Sequence, residues 1–473
     1  MNPNFNFSLY SKWITICLFF FVFTGPILFA DDVEPASMAL SLTDALKIAL
    51  EQSPSIHESI LGIAKTQADR KIAKSALKPS LNANVFQQRE KLNYDTFLGT
   101  PGENGAYIVG PYTWGRLGVS ANVPLFDLTL WNRWKATEHI ENSAKAKARM
   151  ARESICALVV GQYLGAQRAA ESVKAAQSRV ELAETLEKIA SDQQKNNVGT
   201  KIDTLRAGVQ LRNERQRLIR SQAQLQIAIF GLVKLLNLEP STKLELTDPL
   251  STPDLPQFNF HNACEFSFKQ RPELSSLDFQ EKATLRAKKS AQSQRLPSLV
   301  LAGSYISTGL FHQAFVPVGE ISLGLQMPVF NGGRISAEVK KTSIDLNQIR
   351  EEKRDLKAQV CFEIQVAETE IETSQSEVEV ASEAVSLASD ELVQARHRFE
   401  AGITSNIDVV NAQDEFARAT DNKIDALFHL NQARANLAKA LGWLEPLFLD
   451  KGDTDDGKTR RDEFFGRKTE TSK

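Results

Sequence analysis

Two stretches of the chain, RLGVSANVPLF at residues 116–126 and EISLGLQMPVFNGGR at residues 320–334, decide the fold. In both, apolar and polar residues alternate as far as a proline, which predicts a strand with one apolar and one polar face. The proline, joined in the second stretch by two glycines, predicts a sharp corner at the end of the strand. Because the pattern recurs after 204 residues, the chain carries an internal duplication.

The duplication extends on both sides of these strands. Upstream, QSP at residues 52–54 recurs as QRP at 270–272, a spacing of 218 residues. Downstream, Asp203 matches Asp408 at a spacing of 205 residues. The first copy therefore holds about 14 extra residues before its corner, where the Gly-rich stretch 99–110 predicts a long exposed loop.

Each copy continues from its corner into helices too long for a compact domain. The segments 130–196 and 334–400 contain no proline, and at 1.5 Å per residue each would reach roughly 100 Å. Each is followed by a shorter return helix, at about 202–236 and 407–441, with apolar residues in heptad stripes typical of coiled coils. In front of its strands each copy opens with a helix, predicted at residues 42–78 and 263–295.

The N-terminal segment has the composition of a secretory signal. Lys12 precedes a short apolar run that Gly25 and Pro26 interrupt and that ends at Ala30, so we predict cleavage there rather than an uncleaved membrane anchor. The predicted organisation is a signal peptide (1–30), a first repeat (31–240), a linker (241–262), a second repeat (263–446) and a charged, disordered tail (447–473). Within the repeats, strands are predicted at about 80–95, 112–124, 297–309 and 316–328, and long helices at about 130–237 and 334–442.

After residue 30 no apolar run approaches the length of a membrane-spanning helix, so any membrane contact must be made through strands. Four strands cannot close a barrel, since single-chain membrane barrels begin at about eight. The sequence therefore predicts an α+β membrane protein. It is built from a duplicated helix–strand–strand–long helix–helix unit, with four strands per chain shared into an oligomeric β-barrel and a long coiled-coil α-helical barrel.

The composition gives little support to catalysis or to polyanion binding. The net charge is -2, the six histidines are scattered without metal-ligand spacing, and no nucleophile or phosphate-binding motif occurs. We therefore predict no enzyme activity, no cofactor, no metal and no nucleic acid. Gly332, Gly333 and Arg334 are a weak anion-binding candidate, and a tight corner is the stronger interpretation. The cysteines beyond the predicted signal form no disulfide framework and are interpreted as buried apolar thiols: Cys156, Cys264 and Cys361.

The order of these elements, written twice behind a signal peptide, resembles the TolC-like outer-membrane efflux proteins over residues 42–445. The motifs that carry the resemblance are LTDAL at 42–46, VPLF at 123–126, GTKIDTLRA at 199–207, MPVFNGGR at 327–334, RFEAG at 398–402 and DVVNAQ at 408–413.

This resemblance implies a passive outer-membrane duct of a tripartite efflux or type I secretion system. A homotrimer would set twelve strands into outer-membrane lipid, and its helices would extend into the periplasm. The helix-hairpin tips would meet a periplasmic adaptor and an inner-membrane RND or ABC transporter. The alternative is a soluble periplasmic coiled-coil adaptor or scaffold.

Candidate site residues lie at the predicted tips. Asp203 and Asp408 follow the turn glycines Gly199 and Gly402, and symmetry would multiply each carboxylate into a ring that attracts cations. Helix capping is the competing interpretation. Family members often carry a second carboxylate where this chain has Asn411. Aromatic residues near the strands are predicted as membrane-interface anchors, or else as ordinary loop and core aromatics: Tyr94, Phe97, Tyr107, Tyr112, Trp114, Tyr305, Phe311 and Phe315.

Overall fold

The structure, a computed structural model, describes residues 37–93, 108–252, 260–310 and 314–449. The predicted signal peptide lies outside the described residues, as do most of the predicted tail and most of the long first-copy loop.

The first repeat contains two short helices, a strand hairpin and a long helical hairpin. Its elements are β1 (Ser37–Leu40), α1 (Leu42–Gln52), α2 (Pro54–Ser75), β2 (Ser80–Asn93), β3 (Ile108–Phe126), α3 (Leu128–Lys195) and α4 (Lys201–Leu235). The second repeat follows the same order after a short strand. Its elements are β4 (Lys243–Leu246), α5 (Phe260–Gln270), α6 (Pro272–Ser293), β5 (Ser298–Leu310), β6 (Val316–Gln326), α7 (Arg334–Glu400), α8 (Asn406–Leu441) and α9 (Leu444–Leu449).

The opening helix of each copy, predicted as one piece, is broken in two by a proline. Pro54 and Pro272 each stand at the first position of the second helix, where the missing N–H costs nothing but the preceding residue must be extended. Ser53, for example, has ψ 124° and ends α1. The single helices predicted over 42–78 and 263–295 are therefore wrong at this point.

The predicted linker and tail also contain ordered elements. β4 lies within the linker and pairs in parallel with β1, Leu40 opposite Leu246, so the start of the first repeat is joined to the chain between the repeats. α5 begins at Phe260, before the predicted end of the linker. α9 continues past residue 447 because Leu444, which is fully buried, packs in the first repeat's core.

The four long strands form one antiparallel sheet in the order β2-β3-β5-β6. The hairpins of the two repeats meet in the middle, where β3 pairs with β5 and Val119 lies opposite Tyr305. All residues of β6 are exposed, including apolar side chains such as Ile321, which is 84% exposed. A single chain thus leaves a sheet edge and an apolar face uncovered, which costs free energy in water.

The second corner depends on two glycines with left-handed backbone. Gly332 and Gly333 have φ 59° and 83°, and no atom lies within 4 Å of a Cβ built on either, so conformation and not space requires glycine. Arg334 begins α7 and its guanidinium donates to Glu338 at 3.2 Å. These contacts support the corner interpretation over anion binding.

The long helices run side by side, α3 with α4 and α7 with α8. α3 has 68 residues and α7 has 67, which corresponds to roughly 100 Å each. Small residues such as Ala176, Ala183 and Ala190 are buried along the seam, so the helix axes can approach closely. Among the described residues, no helix combines the length and the apolar character needed to cross a membrane.

Candidate functional site

The turns of the two long hairpins lie next to each other and share one apolar cluster. Its buried members come from all four helices: Leu186, Ala190, Ala207, Leu392, Phe399, Val409 and Ala412. Hydrogen bonds at the turns also join the hairpins: Gln193 Nε2 donates to the Phe399 carbonyl at 3.1 Å, and Asn406 Nδ2 donates to the Asp203 carbonyl at 2.8 Å. The tips of the two repeats therefore form one packed unit.

Gly199 and Gly402 have different roles in the two turns. Gly402 takes the left-handed conformation, φ 73°, just after α7. At the 205-residue spacing its equivalent is Asn197, which has φ 59°, and not Gly199. Gly199 instead permits close approach, because a Cβ there would lie 2.9 Å from Gln193 Cβ. The sequence interpretation that treated both glycines simply as bend punctuation missed this difference.

Asp203 forms a reciprocal cap at the start of α4. Its backbone N–H donates to Thr200 Oγ1 at 3.3 Å, and its Oδ2 accepts from the Thr200 hydroxyl at 2.5 Å and from the Thr200 N–H at 3.4 Å. This is a capping box, which satisfies backbone donors that the first helical turn leaves free. The structure therefore places Asp203 in the capping role.

Asp408 lies at the equivalent point of α8 with a different local partner. Its Oδ2 accepts from the Thr404 hydroxyl, while Ser405, the residue before the helix, makes no side-chain cap. Asp408 is therefore fixed by a contact across the turn itself. Both copies thus have an aspartate at this position. Its hydrogen-bond donor is the threonine three residues earlier in the first copy and the threonine four residues earlier in the second.

An apolar groove opens between the starts of α4 and α8. It has a volume of about 450 Å³ and is lined by Ile202, Leu205, Arg206, Val209, Gln210, Ile407, Val410 and Asn411. Leu205 and Val209 are each 60% exposed, so the groove presents apolar side chains to solvent in the single chain. Asn411, predicted at the aperture, thus lies in the wall of this groove.

A buried charge network joins the two hairpins farther from the tips. Glu214 on α4 has a side chain only 4% exposed and pairs with Arg217 at 2.7 Å and with Arg179 of α3 at 3.7 Å. Arg179 also contacts Asp421 of α8 at 2.9 Å. Burial raises the pKa of Glu214, and the two arginines oppose that shift.

Sequence reasoning missed this network, although a signal was present. Leu211 and Leu218 belong to an apolar heptad stripe on α4, and Glu214 occupies the same face three residues after Leu211. A carboxylate on the buried stripe of a coiled coil requires a cationic partner.

The predicted interface aromatics are only partly described. Tyr94, Phe97, Tyr107 and Phe311 lie outside the described residues. On β3, the Tyr112 hydroxyl and the Trp114 Nε1–H donate to Glu90 Oε1 at 2.8 and 2.9 Å. On the second hairpin, Tyr305 is 63% exposed and Phe315 is 45% exposed and packs near Gly115. Tyr112, Trp114 and Phe315 therefore lie towards the end of the sheet away from the corners, whereas Tyr305 lies nearer its middle, opposite Val119.

The fold that carries the tips is thus an open four-stranded sheet with exposed apolar surface, joined by sharp corners to helical hairpins of roughly 100 Å. Within the described ranges, no group of three His, Cys, Asp or Glu residues is placed to hold a metal ion.

The chain belongs to the outer membrane efflux protein family, whose model matches residues 45–238 and 267–443. It is 23% identical to the pyoverdine export outer membrane protein OpmQ of Pseudomonas aeruginosa over 421 residues, 85% of each chain. Its fold is similar to that of VceC from Vibrio cholerae, with TM-score 0.72 and 17% identity over 85% of this chain and 96% of VceC. It is also similar to the open state of the Neisseria gonorrhoeae MtrE channel, with TM-score 0.70 and 18% identity over 85% and 88% of the chains.

Family membership confirms the resemblance, the fold class, the outer-membrane location and the function of an efflux channel. Members of the family are channels rather than enzymes, and they act as oligomers with adaptors and inner-membrane transporters. The alternative of a soluble periplasmic adaptor is therefore rejected.

Proposed function

We propose that the protein is the passive outer-membrane duct of a small-molecule efflux assembly and works as a homotrimer. Lipid does not tolerate the unpaired edges of an open sheet, so β2 and β6 must pair with neighbouring chains. Two chains would supply eight strands and three would supply twelve, and the family resemblance selects three. The relative OpmQ is named for pyoverdine export, which supports a small-molecule cargo.

The observation that carries the proposal is the apolar groove at the tips. The apolar side chains at the end of this roughly 100 Å helical hairpin are exposed to solvent in a single chain. Such a surface is complementary to the apolar face of a helix from a partner protein. We assign the groove to the hairpin of a periplasmic adaptor, which in turn recruits an inner-membrane transporter of the RND or ABC class. Gly199 and Gly402 shape the turns on either side of it.

At the aperture, Asp408 and Asp203 would each be repeated three times around the trimer axis. A ring of carboxylates attracts cations and repels anions. Both acids are also helix-start residues whose Thr partners fix their orientation, so capping and ring formation are compatible. Asn411 replaces a second carboxylate, and we propose that it makes the aperture less negative than one with acids at both positions.

The aromatics at the far end of the sheet are assigned to the membrane interface, where ring bodies lie among acyl chains and polar tips reach water. Trp114 and Tyr112 suit this role because a polar partner, Glu90, already engages their N–H and O–H groups. Phe315 lies on the neighbouring hairpin at the same end, against Gly115, whereas Tyr305 lies nearer the middle of the sheet, opposite Val119.

The test replaces Ile202 and Leu205 together by Asp. We expect loss of efflux in cells that lack their own outer-membrane duct, and loss of the purified cognate adaptor's binding, while the detergent-extracted protein remains a trimer by light scattering. Ile219→Asp is the matched control, because Ile219 is 67% exposed on the same helix but lies outside the groove. Undiminished adaptor binding by the double variant would refute the docking assignment, and a monomer in the wild type would refute the shared barrel.

A further inference from the structure

Two cysteines of the second repeat meet where α5 packs on α7. Cys264 is 7% exposed and belongs to an apolar cluster with Val360 and Ile364, and Cys361 packs against that cluster from a half-buried position. Both are free thiols in this structure. The side chains of Cys264 and Cys361 interact, and burial together with this interaction raises the pKa of the Cys264 thiol to about 12. The two cysteines therefore lie side by side where α5 contacts α7.

The duplication shows that this contact is specific to one repeat. At the 205-residue spacing Cys361 corresponds to Cys156, and at the 218-residue spacing Cys264 corresponds to Leu46. Leu46 and Cys156 are both fully buried and lie in the same cluster of the first repeat. The same packing position is thus filled by a leucine against a thiol in one copy and by two thiols in the other.

Whether two neighbouring thiols are oxidised to a disulfide depends on the redox poise of the compartment. An outer-membrane efflux channel has its helices in the periplasm, where the redox poise favours disulfides and a dedicated thiol oxidase system maintains it. We propose that Cys264 and Cys361 form an intrachain disulfide that ties α5 to α7 in the mature protein. The proposal rests on export to the outer membrane and not on the tip groove.

The oxidation requires a disulfide-bearing periplasmic oxidant. Cys361, the more accessible thiol, attacks as the thiolate and forms a mixed disulfide, releasing one sulfur of the oxidant. Cys264 then loses its proton and attacks Cys361 Sγ, so the oxidant departs as a dithiol. The chain loses two electrons and two protons, and the oxidant gains both.

The bond would close a loop that contains α6, β5, β6 and the first part of α7. The opening helix of the second repeat would then be fixed to α7 at a point 27 residues after Arg334, well away from the sheet. In the first repeat, β1 and β4 supply a different tie at the corresponding level, since they join its start to the chain after α4.

The test counts thiols in the full-length protein taken from outer membranes, in a Cys17→Ser background so that leader removal does not change the count. Samples are quenched in acid, denatured and alkylated with a polyethylene-glycol maleimide. We expect one adduct, at Cys156, without reductant and three adducts after reduction. Peptide mapping should find Cys264 linked to Cys361, with a mass lower by two hydrogens.

Cys264→Leu is the matched variant, because it recreates the Leu46–Cys156 pairing of the first repeat and should preserve folding. It should give two adducts with or without reductant and reach the outer membrane at the wild-type level. Cells that lack the periplasmic dithiol oxidase should yield three adducts from the wild-type chain without reductant. Three adducts from oxidase-competent cells, or a disulfide that maps to Cys156, would overturn the proposal.

Discussion

The two repeats share one fold but are held together by different chemistry around the level of α1 and α5. The first repeat buries Tyr163, Leu46 and Cys156 in one apolar cluster beneath the β1–β4 pair. The second repeat has an apolar cluster of its own at this level, around Cys264 and Val360, and adds a guanidinium beside it: Arg271, 6% exposed, is held by carboxylates and by the Ala440 carbonyl. Duplication therefore conserves the path of the backbone while its contacts diverge, and each repeat provides a control for the other.

The largest loss of stability is expected when Arg271 is replaced. Its guanidinium contacts Glu363 and pairs with Glu273 at 3.3 Å, and Gly442 packs directly against its backbone. Arg271→Ala leaves two carboxylates without a cation, which typically costs 3–5 kcal/mol when both are buried. Because these carboxylates are partly exposed, we expect a loss of about 3 kcal/mol in the free energy of unfolding, measured by denaturant titration in detergent.

The matched control is Ser53→Ala at the equivalent position of the first repeat. Ser53 makes no side-chain cap, so its loss should cost less than about 0.5 kcal/mol. An equal loss in the two variants would contradict the assignment of Arg271 as the anchor of the second repeat.

The second prediction concerns how the free energy of unfolding depends on pH through Glu153, a residue of the first repeat. Burial, reinforced by the charge of Glu445, raises the pKa of Glu153 from 4.5 to about 7. Its Oε2 has no hydrogen-bond partner among the described residues. Between pH 4.5 and 7 the unfolded chain ionises first, so the stability contributed by the neutral folded carboxyl is lost as pH rises.

Glu153→Gln removes this penalty. Relative to the wild type, its free energy of unfolding should be about 2 kcal/mol higher at pH 8, and the difference should vanish near pH 4.5. Ala358→Gln, at the exposed equivalent position on α7, should show no pH-dependent change. A difference between Glu153→Gln and wild type that is the same at both pH values would contradict the buried ionisation.

Much of this architecture could be predicted from the sequence, and the exceptions share a physical cause. Period-two alternation and prolines located the four strands and both corners, because these features report directly on backbone geometry. β1 and β4 were not predicted, since four residues carry too little periodicity and their pairing spans about 200 residues of chain. Asp203 and Asp408 were found because they occupy equivalent positions in the two repeats. Their threonine partners do not occupy equivalent positions, so these contacts could be identified only from the structure.

A smaller effect should come from the hydroxyl of Tyr163. Its single proton is shared between two acceptors, the Leu40 carbonyl at 3.0 Å and Asp248 Oδ2 at 3.1 Å, which links α3 to the strand pair. Tyr163→Phe removes a buried hydrogen bond to a charged acceptor, so we expect a loss of about 1.5 kcal/mol in the free energy of unfolding. The equivalent residue in the second repeat is Glu368, and Glu368→Ala should change the value by less than about 0.5 kcal/mol.

The smallest effect distinguishes the two tips. Thr200 caps α4 through a reciprocal bond with Asp203, whereas Ser405 at the equivalent point of α8 makes no side-chain cap. Thr200→Ala should therefore destabilise the tip by about 1 kcal/mol, and Ser405→Ala should be nearly neutral. Amide hydrogen exchange over residues 200–208 and 405–413 resolves this locally. Faster exchange confined to the first tip is expected, and equal acceleration in both would show that the caps are equivalent in solution.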